Sequence, residues 1–359
     1  MDPASLIPTP DSIPAPSWIF LVLDLLLFTL HILVINIVVG GSLIIATSRI
    51  FGKEDQPGQT VHSVLANKLP TSFALGINLG VAPLLFMQVI YGHLFYTSSV
   101  LMAVYWILVI PLLIIAYYAA YIHVRKYTSS VMISKVAILI TSLLLLYIGF
   151  IYVNNMTLMA QPGKWTAYFE NRGGSILNMS DPTLIPRYLH FVVASVAVAG
   201  LFIAMVWSMR KKKGVEGADS KIHSALRIFG YATIVQVILG FWFLIAIPAD
   251  FILQFMGRNI FYSLVLLVGF ASGIGAIATA FMSKLRPTVI MLLTTIVAMV
   301  ITRHNLRTLY LGDMFKLETL ELSPQYDVLA LFLVILIAGL AAVGYMVNQV
   351  RAADERRAG

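Results

Sequence analysis

The sequence predicts an all-α, polytopic membrane helical bundle of about nine transmembrane helices, with its N-terminus outside and its C-terminus inside. Apolar runs of ~20 residues, the length that crosses a bilayer, recur almost end to end and are parted by short polar loops. Hydrophobic residues make up 59% of the chain and charged residues 11%, far from the mix of a soluble domain. Alternate loops differ sharply in Lys/Arg content, and the tetrad Arg210-Lys211-Lys212-Lys213 is the strongest mark of a cytoplasmic loop.

The runs fall at about 18–50, 70–92, 98–124, 130–153, 186–209, 225–249, 259–283, 287–311 and 327–350. They form a single transmembrane domain over 18–350, after an outer segment 1–17 and before a cytoplasmic tail 351–359. With the tetrad inside, most of the 24 lysines and arginines fall on the cytoplasmic face. The first run exceeds a hydrocarbon core of ~30 Å at ~1.5 Å per residue, so its inner end should project into the cytoplasm. The outer loop 154–186 carries Trp165, Tyr168, Phe169 and paired glycines and reads as an interfacial cap. No internal repeat and no inverted pair of broken helices is legible, which weakens the case for a secondary transporter.

The net charge of +8 is explained by topology rather than by nucleic acid, because the basic residues lie in inter-span loops without aromatic interleaving. The absence of cysteine excludes disulfides, thiolate-ligated clusters and a covalently attached c-type haem. The segment Met1 to Ser17 is Pro-rich and acidic with no basic n-region, unlike a cleaved signal peptide.

Ionisable groups inside a span are costly and therefore functional suspects, and there are few: Asp24, His31, His93, His190, Arg303, His304 and Arg307. By helical rise the four histidines belong to the outer half or middle of the membrane, on four helices, whereas His62, His123 and His223 fall at the inner surface as solvated loop residues. Imidazoles converging in an apolar bundle suit haem iron, which takes one or two axial histidines. The alternative is that each makes an interhelical hydrogen bond or lines a polar cavity, and His93 lies near enough to the interface to touch headgroups. Asp24 shares a helix face with His31; it is either a proton relay or a residue at the outer interface. Arg303 and Arg307 flank His304 and would either pair with haem propionates or snorkel to headgroups.

Several segments carry a family resemblance. Leu30-His31-Ile32-Leu33 followed by Gly40-Gly41, Gly76-Ile77-Asn78, Met87-Gln88 through Gly92, Gln161-Pro162, and Arg187-Tyr188-Leu189-His190-Phe191-Val192-Val193-Ala194-Ser195 are similar to stretches of subunit I of the cytochrome bd quinol oxidase superfamily. The chain resembles a divergent, short-loop branch of that superfamily over most of its length. The resemblance implies haem b, two or three in number, with His31 ligating a haem of the active-site pair and His190 the low-spin haem. It also implies nine spans with an outer N-terminus, a second membrane subunit, and residence in a bacterial or archaeal cytoplasmic (inner) membrane.

The departures matter as much. The family's long quinol-oxidising loop is replaced by about ten residues, Pro248 to Arg258, which puts the usual quinone site in doubt. Leu267 stands where the low-spin haem has its methionine ligand, leaving His93 as one candidate partner for His190. Gln88 replaces the acid of the second span, and His304-Asn305-Leu306-Arg307 takes the place of a Glu-x-x-Arg, which makes His304 a candidate iron ligand. The expected function is a haem b-binding membrane subunit of a respiratory oxidoreductase, either reducing oxygen or exchanging electrons between the quinone pool and a periplasmic c-type cytochrome on the outer face. Asp24 and Gln88 are the proton-path candidates. The competing readings are an ion- or proton-coupled transporter or channel and a passive membrane anchor of a respiratory complex.

Overall fold

Glycine decides where the bundle is tightest. A Cβ on Gly40 would overlap the backbone oxygen of Ser195, so two helices cross there backbone to backbone. The computed structural model describes residues 3–52, 61, 63–312 and 314–358. Among them, nine helices are long and apolar enough to span a membrane. They are α1 (Ser17–Phe51), α2 (Leu69–Leu101), α3 (Ala103–Arg125), α4 (Val131–Met159), α5 (Leu184–Lys212), α6 (Ala218–Ala246), α7 (Ile260–Phe281), α8 (Leu285–Leu311) and α9 (Tyr326–Ala358). No strand is present among the described residues, where the only β-type pairing is a bridge between Ile13 and Leu322. The chain is a multi-pass, all-α membrane protein, and its exposed apolar side chains meet lipid.

Sequence-adjacent helices pair antiparallel, α1 with α2, α3 with α4, α5 with α6 and α7 with α8, while α1 packs along α5 through the Gly40–Ser195 crossing. Ala116, Ala197, Ala204 and Ala225 fill the seams with small side chains that let backbones approach, the device that replaces hydrophobic driving force in lipid. Helix α9 makes no extensive contact with any other helix, and its side chains from Ala330 to Val350 are almost all exposed.

Most helices run longer than the apolar runs. Helix α2 continues past Gly92 to Leu101, through the expected loop 93–97 and the first four residues of the expected third run. The reason is that Thr97 donates to the His93 carbonyl (2.8 Å) and Ser98 to that of Phe95 (2.9 Å), so these hydroxyls are satisfied within the helix. The helix is broken at Tyr91, whose backbone (φ −121°, ψ 21°) is not helical. The outer loop is folded: Pro162–Phe169 forms a 3₁₀ helix, and the buried Trp165 donates from Nε1 to the Leu158 carbonyl at 2.9 Å. Gln161 Nε2 donates to Asp181, which in turn accepts from the Thr183 backbone at the start of α5.

One residue departs from the expected placement. His123 is fully buried, its Nδ1 2.9 Å from Ser134 Oγ and its ring against Tyr127, where Arg49 also lies 4.3 Å over the Tyr127 ring. It is a packed link between α3 and α4 rather than a solvated loop residue, since α3 runs on to Arg125 and carries it inside. Asp24 is 2% exposed, enclosed by its neighbours in the bundle. His223 is exposed and bonds Ser283 at 2.6 Å, as a solvated residue can, while His62 lies outside the described residues.

Candidate functional site

The two histidines in the strongest sequence segments sit in similar frames, and His31 is hydrogen-bonded in its own. On α1, His31 Nδ1 lies 3.0 Å from the Gly76 carbonyl of α2. A carbonyl only accepts, so Nδ1 carries the proton and Nε2 of the neutral ring keeps its lone pair. One turn on, at Gly80, a Cβ would fall 2.7 Å from His31 Cε1, so the ring occupies a notch that only glycine leaves open. On α5, His190 faces the Gln236 carbonyl of α6. One turn on, a Cβ at Gly240 would stand 3.3 Å from His190 Cε1. In each case a carbonyl at position i and a glycine at i+4 of the neighbouring helix frame the imidazole.

The parallel extends along the chain. Leu30, His31, Val34, Val39 and Gly41 of α1 are matched at one constant offset by Leu189, His190, Val193, Val198 and Gly200 of α5. Leu79, Gly80 and Leu84 of α2 are matched likewise by Leu239, Gly240 and Leu244 of α6. Three spans lie between the members of each pair, so α1–α2 and α5–α6 run in the same sense and present two similar histidine seats. Hydropathy alone hides this correspondence, because every span is apolar.

Between the seats lies a buried cluster of charge. Arg303 of α8 stacks 4.4 Å over Phe28, whose ring neighbours that of His31 at 6.4 Å. Arg187 of α5 stacks 4.9 Å over Phe243, whose ring neighbours that of His190 at 6.5 Å. Arg307 lies 4.8 Å over Tyr91, is 6% exposed, and meets no well-aligned acceptor with either Nη. Asp24 is within electrostatic reach of Arg303 and Arg307, and Arg187 is within reach of Arg307 and Asp181. Two guanidinium groups thus gather around one intramembrane carboxylate with Arg187 beside them, leaving Arg187 Nε, Asp24 Oδ1, Asn305 Nδ2, His190 Nδ1 and His304 Nδ1 buried without a hydrogen-bond partner among the described residues. Orphaned charge in an apolar interior costs several kcal/mol, and a bound group of opposite charge removes that cost.

No protein-family model, curated protein or solved structure matches the chain. The functional reading therefore rests on the residues themselves.

The candidates divide between two places. Asp24, His31, His190, Arg303, His304 and Arg307 belong to the cluster and its flanks. Gln88 and His93 stand apart from it: both line a pocket of about 370 Å³ beneath the N-terminal segment, where the His93 ring packs on Phe315 at 4.7 Å. Helix α2 makes no extensive contact with α5, and His93 is not brought to His190 as its partner. Leu267 is 60% exposed and faces away from the interior. Among the described residues no three His, Asp or Glu side chains gather as a single metal site.

Arg187 does not stand out in the sequence as an intramembrane charge, because the fifth apolar run begins at 186. In the fold it lies in the first turn of α5, and the signal that marks it is its spacing of three from His190, the same spacing by which Phe28 precedes His31.

Proposed function

We propose that the chain is a haem b-binding membrane subunit of an electron-transferring respiratory oxidoreductase, with His31 and His190 as the principal iron ligands. The observation that carries this reading is the pair of similar imidazole seats flanking a buried, cation-rich cluster. A ring whose Nδ1 is fixed by a backbone carbonyl presents Nε2 as a ligand, the arrangement that orients metal-bound histidines in general. His31 has this feature directly.

The residues also fit the rest of the group. A haem carries two propionate carboxylates on a flat apolar macrocycle, and the cluster offers Arg187, Arg303 and Arg307 to carboxylates and Phe28 and Phe243 to the macrocycle. His304, flanked by two of these arginines and with a buried unpartnered Nδ1, is the candidate for a further ligand. Bound haem iron would supply one-electron chemistry. The protein's part is to fix ligand orientation, hold the carboxylates and place Asp24 where a proton can be taken up beside them. Electron exchange with a c-type cytochrome or quinone, a second membrane subunit and an inner-membrane location with an outer N-terminus belong to this reading through the family resemblance.

The test is the visible spectrum of the purified protein, oxidised and dithionite-reduced, with a pyridine haemochrome assay. A Soret band is expected, with His31→Ala and His190→Ala each removing a distinct part of it. No Soret band in protein made with ample haem, or full haem content in both variants, would sink the proposal.

A further inference from the structure

The outer loop reaches the His190 seat through one hydroxyl. Thr183 Oγ1 donates to Asp181 Oδ1 at 2.8 Å and accepts from Arg187 Nη2 at 3.3 Å, in the first turn of α5. The Tyr310 side chain of α8 bears on the same hydroxyl. A threonine has one proton to give, and here it goes to the carboxylate, so the hydroxyl turns a lone pair to the guanidinium. Arg187 in turn stacks over Phe243, whose ring neighbours that of His190. Asp181, Thr183, Arg187 and Phe243 thus make one line of contacts from a loop carboxylate to the seat.

The carboxylate carries more charge than the local fold needs. Asp181 Oδ1 also accepts from the Thr183 amide (2.8 Å), closing a turn ahead of α5, and Oδ2 accepts from Gln161 Nε2 (2.9 Å). An asparagine closes such a turn as well, with Gln161 turning its amide to meet it. The negative charge is therefore left for a cation, and at 5% exposure water does little to screen it. Arg187 is within its electrostatic reach. That guanidinium is engaged by the loop at Nη2 and open inside the bundle at Nε.

The loop holds Asp181 still. The Asn178 amide donates to Asn154 Oδ1 (2.9 Å) near the end of α4, and Asn178 Nδ2 donates to Thr157 Oγ1 (3.3 Å). All three side chains are buried, and a closed polar network of this kind favours a single arrangement.

We propose that Asp181 is a positioning residue for the His190 seat: through Thr183 it shares Arg187 with the carboxylate that Arg187 holds there, and so limits the positive charge that the bound group meets. The inference rests on the haem reading of His190, and it makes the outer loop, as well as the bundle, a control on the reduction potential of that site. Positive charge beside a redox centre favours its reduced form, so releasing Arg187 from Asp181 raises the potential.

The experiment is a spectroelectrochemical titration of the purified full chain in detergent, following separately the component lost in His190→Ala and the one lost in His31→Ala. Asp181→Asn is expected to raise the midpoint potential of the first and leave the second in place, and Arg187→Gln to lower the first. In an Arg187→Gln background, Asp181→Asn should shift the first component by less than about half as much. Thr183→Val, which breaks the link, should raise it as Asp181→Asn does, whereas Thr183→Ser, which keeps the hydroxyl, should match the wild type. An unchanged potential in Asp181→Asn, an equal shift of both components, a full shift in the Arg187→Gln background, or Thr183→Ser behaving as Thr183→Val overturns the proposal. If Asp181→Asn does not fold, the Thr183 pair carries the same decision. With no Soret band in the wild type, the haem reading and this inference fall together; with both components present and no selective shift, this inference falls alone.

Discussion

His31 Nδ1 lies 3.0 Å from the carbonyl oxygen of Gly76, and that single contact sets the tautomer of the imidazole, its rotation and the register of α1 against α2. It is possible only because the next turn of α2 presents Gly80.

Gly80→Ala therefore tests the seat without touching the histidine. A Cβ 2.7 Å from Cε1 and 2.9 Å from Nδ1 forces the ring off the Gly76 carbonyl, because both neighbours are fixed by helix backbone. Gly240→Ala meets His190 at 3.3 Å, a distance that a shift of a few tenths of an ångström relieves. Haem content by pyridine haemochrome should fall strongly in Gly80→Ala and mildly in Gly240→Ala. Equal content in the two variants would show that the notches do not position ligands.

Gly40→Leu addresses the bundle rather than the seats. The Cβ would overlap Ser195 O and crowd Val196 N, both backbone atoms, so α1 and α5 must separate along their length. A loss of about 3 kcal/mol or more is expected, in the range of severe core overpacking. Detergent-solubilised variant should melt earlier and elute as aggregate, whereas Gly344→Leu on α9, where nothing lies within 4 Å of the glycine, should behave as wild type.

How much of the fold and site is legible in the sequence depends on where each signal is encoded. Asp24, His31, His190, Arg303 and Arg307 stand out because a charge or imidazole inside an apolar run is costly and has to be explained by a partner. Gly80 and Gly240 do not stand out, because glycine is common in membrane helices and its role is set by a side chain on another helix. His93 reads as interfacial because the second apolar run ends beside it at Gly92, yet the Thr97 and Ser98 hydroxyls bond back to the helix and α2 runs on to Leu101. His123 reads as solvated because it nears a basic loop; its partner Ser134 lies on the far side of that loop and becomes visible only in three dimensions.

His123→Ala separates structural from functional histidines. Its loss removes the buried ring and its bond to Ser134, while Ser134 Oγ keeps the His123 carbonyl and Arg49. A destabilisation of about 1–3 kcal/mol is expected from the lost bond and the space left beside Tyr127. Haem content per folded protein should not change, in contrast with His31→Ala. A spectral change in His123→Ala would place a cofactor at the opposite end of α1 from the cluster.

Arg307→Leu gives opposite signs in the two states of the protein. Without a bound anion, Arg307 is a buried cation facing like charge from Arg303 and Arg187, countered chiefly by Asp24. Replacing it with an apolar side chain relieves desolvation and repulsion, although it also strips Asp24 of part of its pairing. The repulsive contacts outnumber the attractive one, so the apoprotein should be unchanged or more stable by about 1 kcal/mol. With carboxylates bound, the same guanidinium is a donor with both Nη groups free to engage them, and its removal should cost about 2–3 kcal/mol of stability. Thermal melts of wild type and variant, made with and without haem supply, read both signs in one experiment. A variant that lowers stability equally in both preparations would mean that Arg307 serves the apoprotein fold through Asp24 and Tyr91 alone.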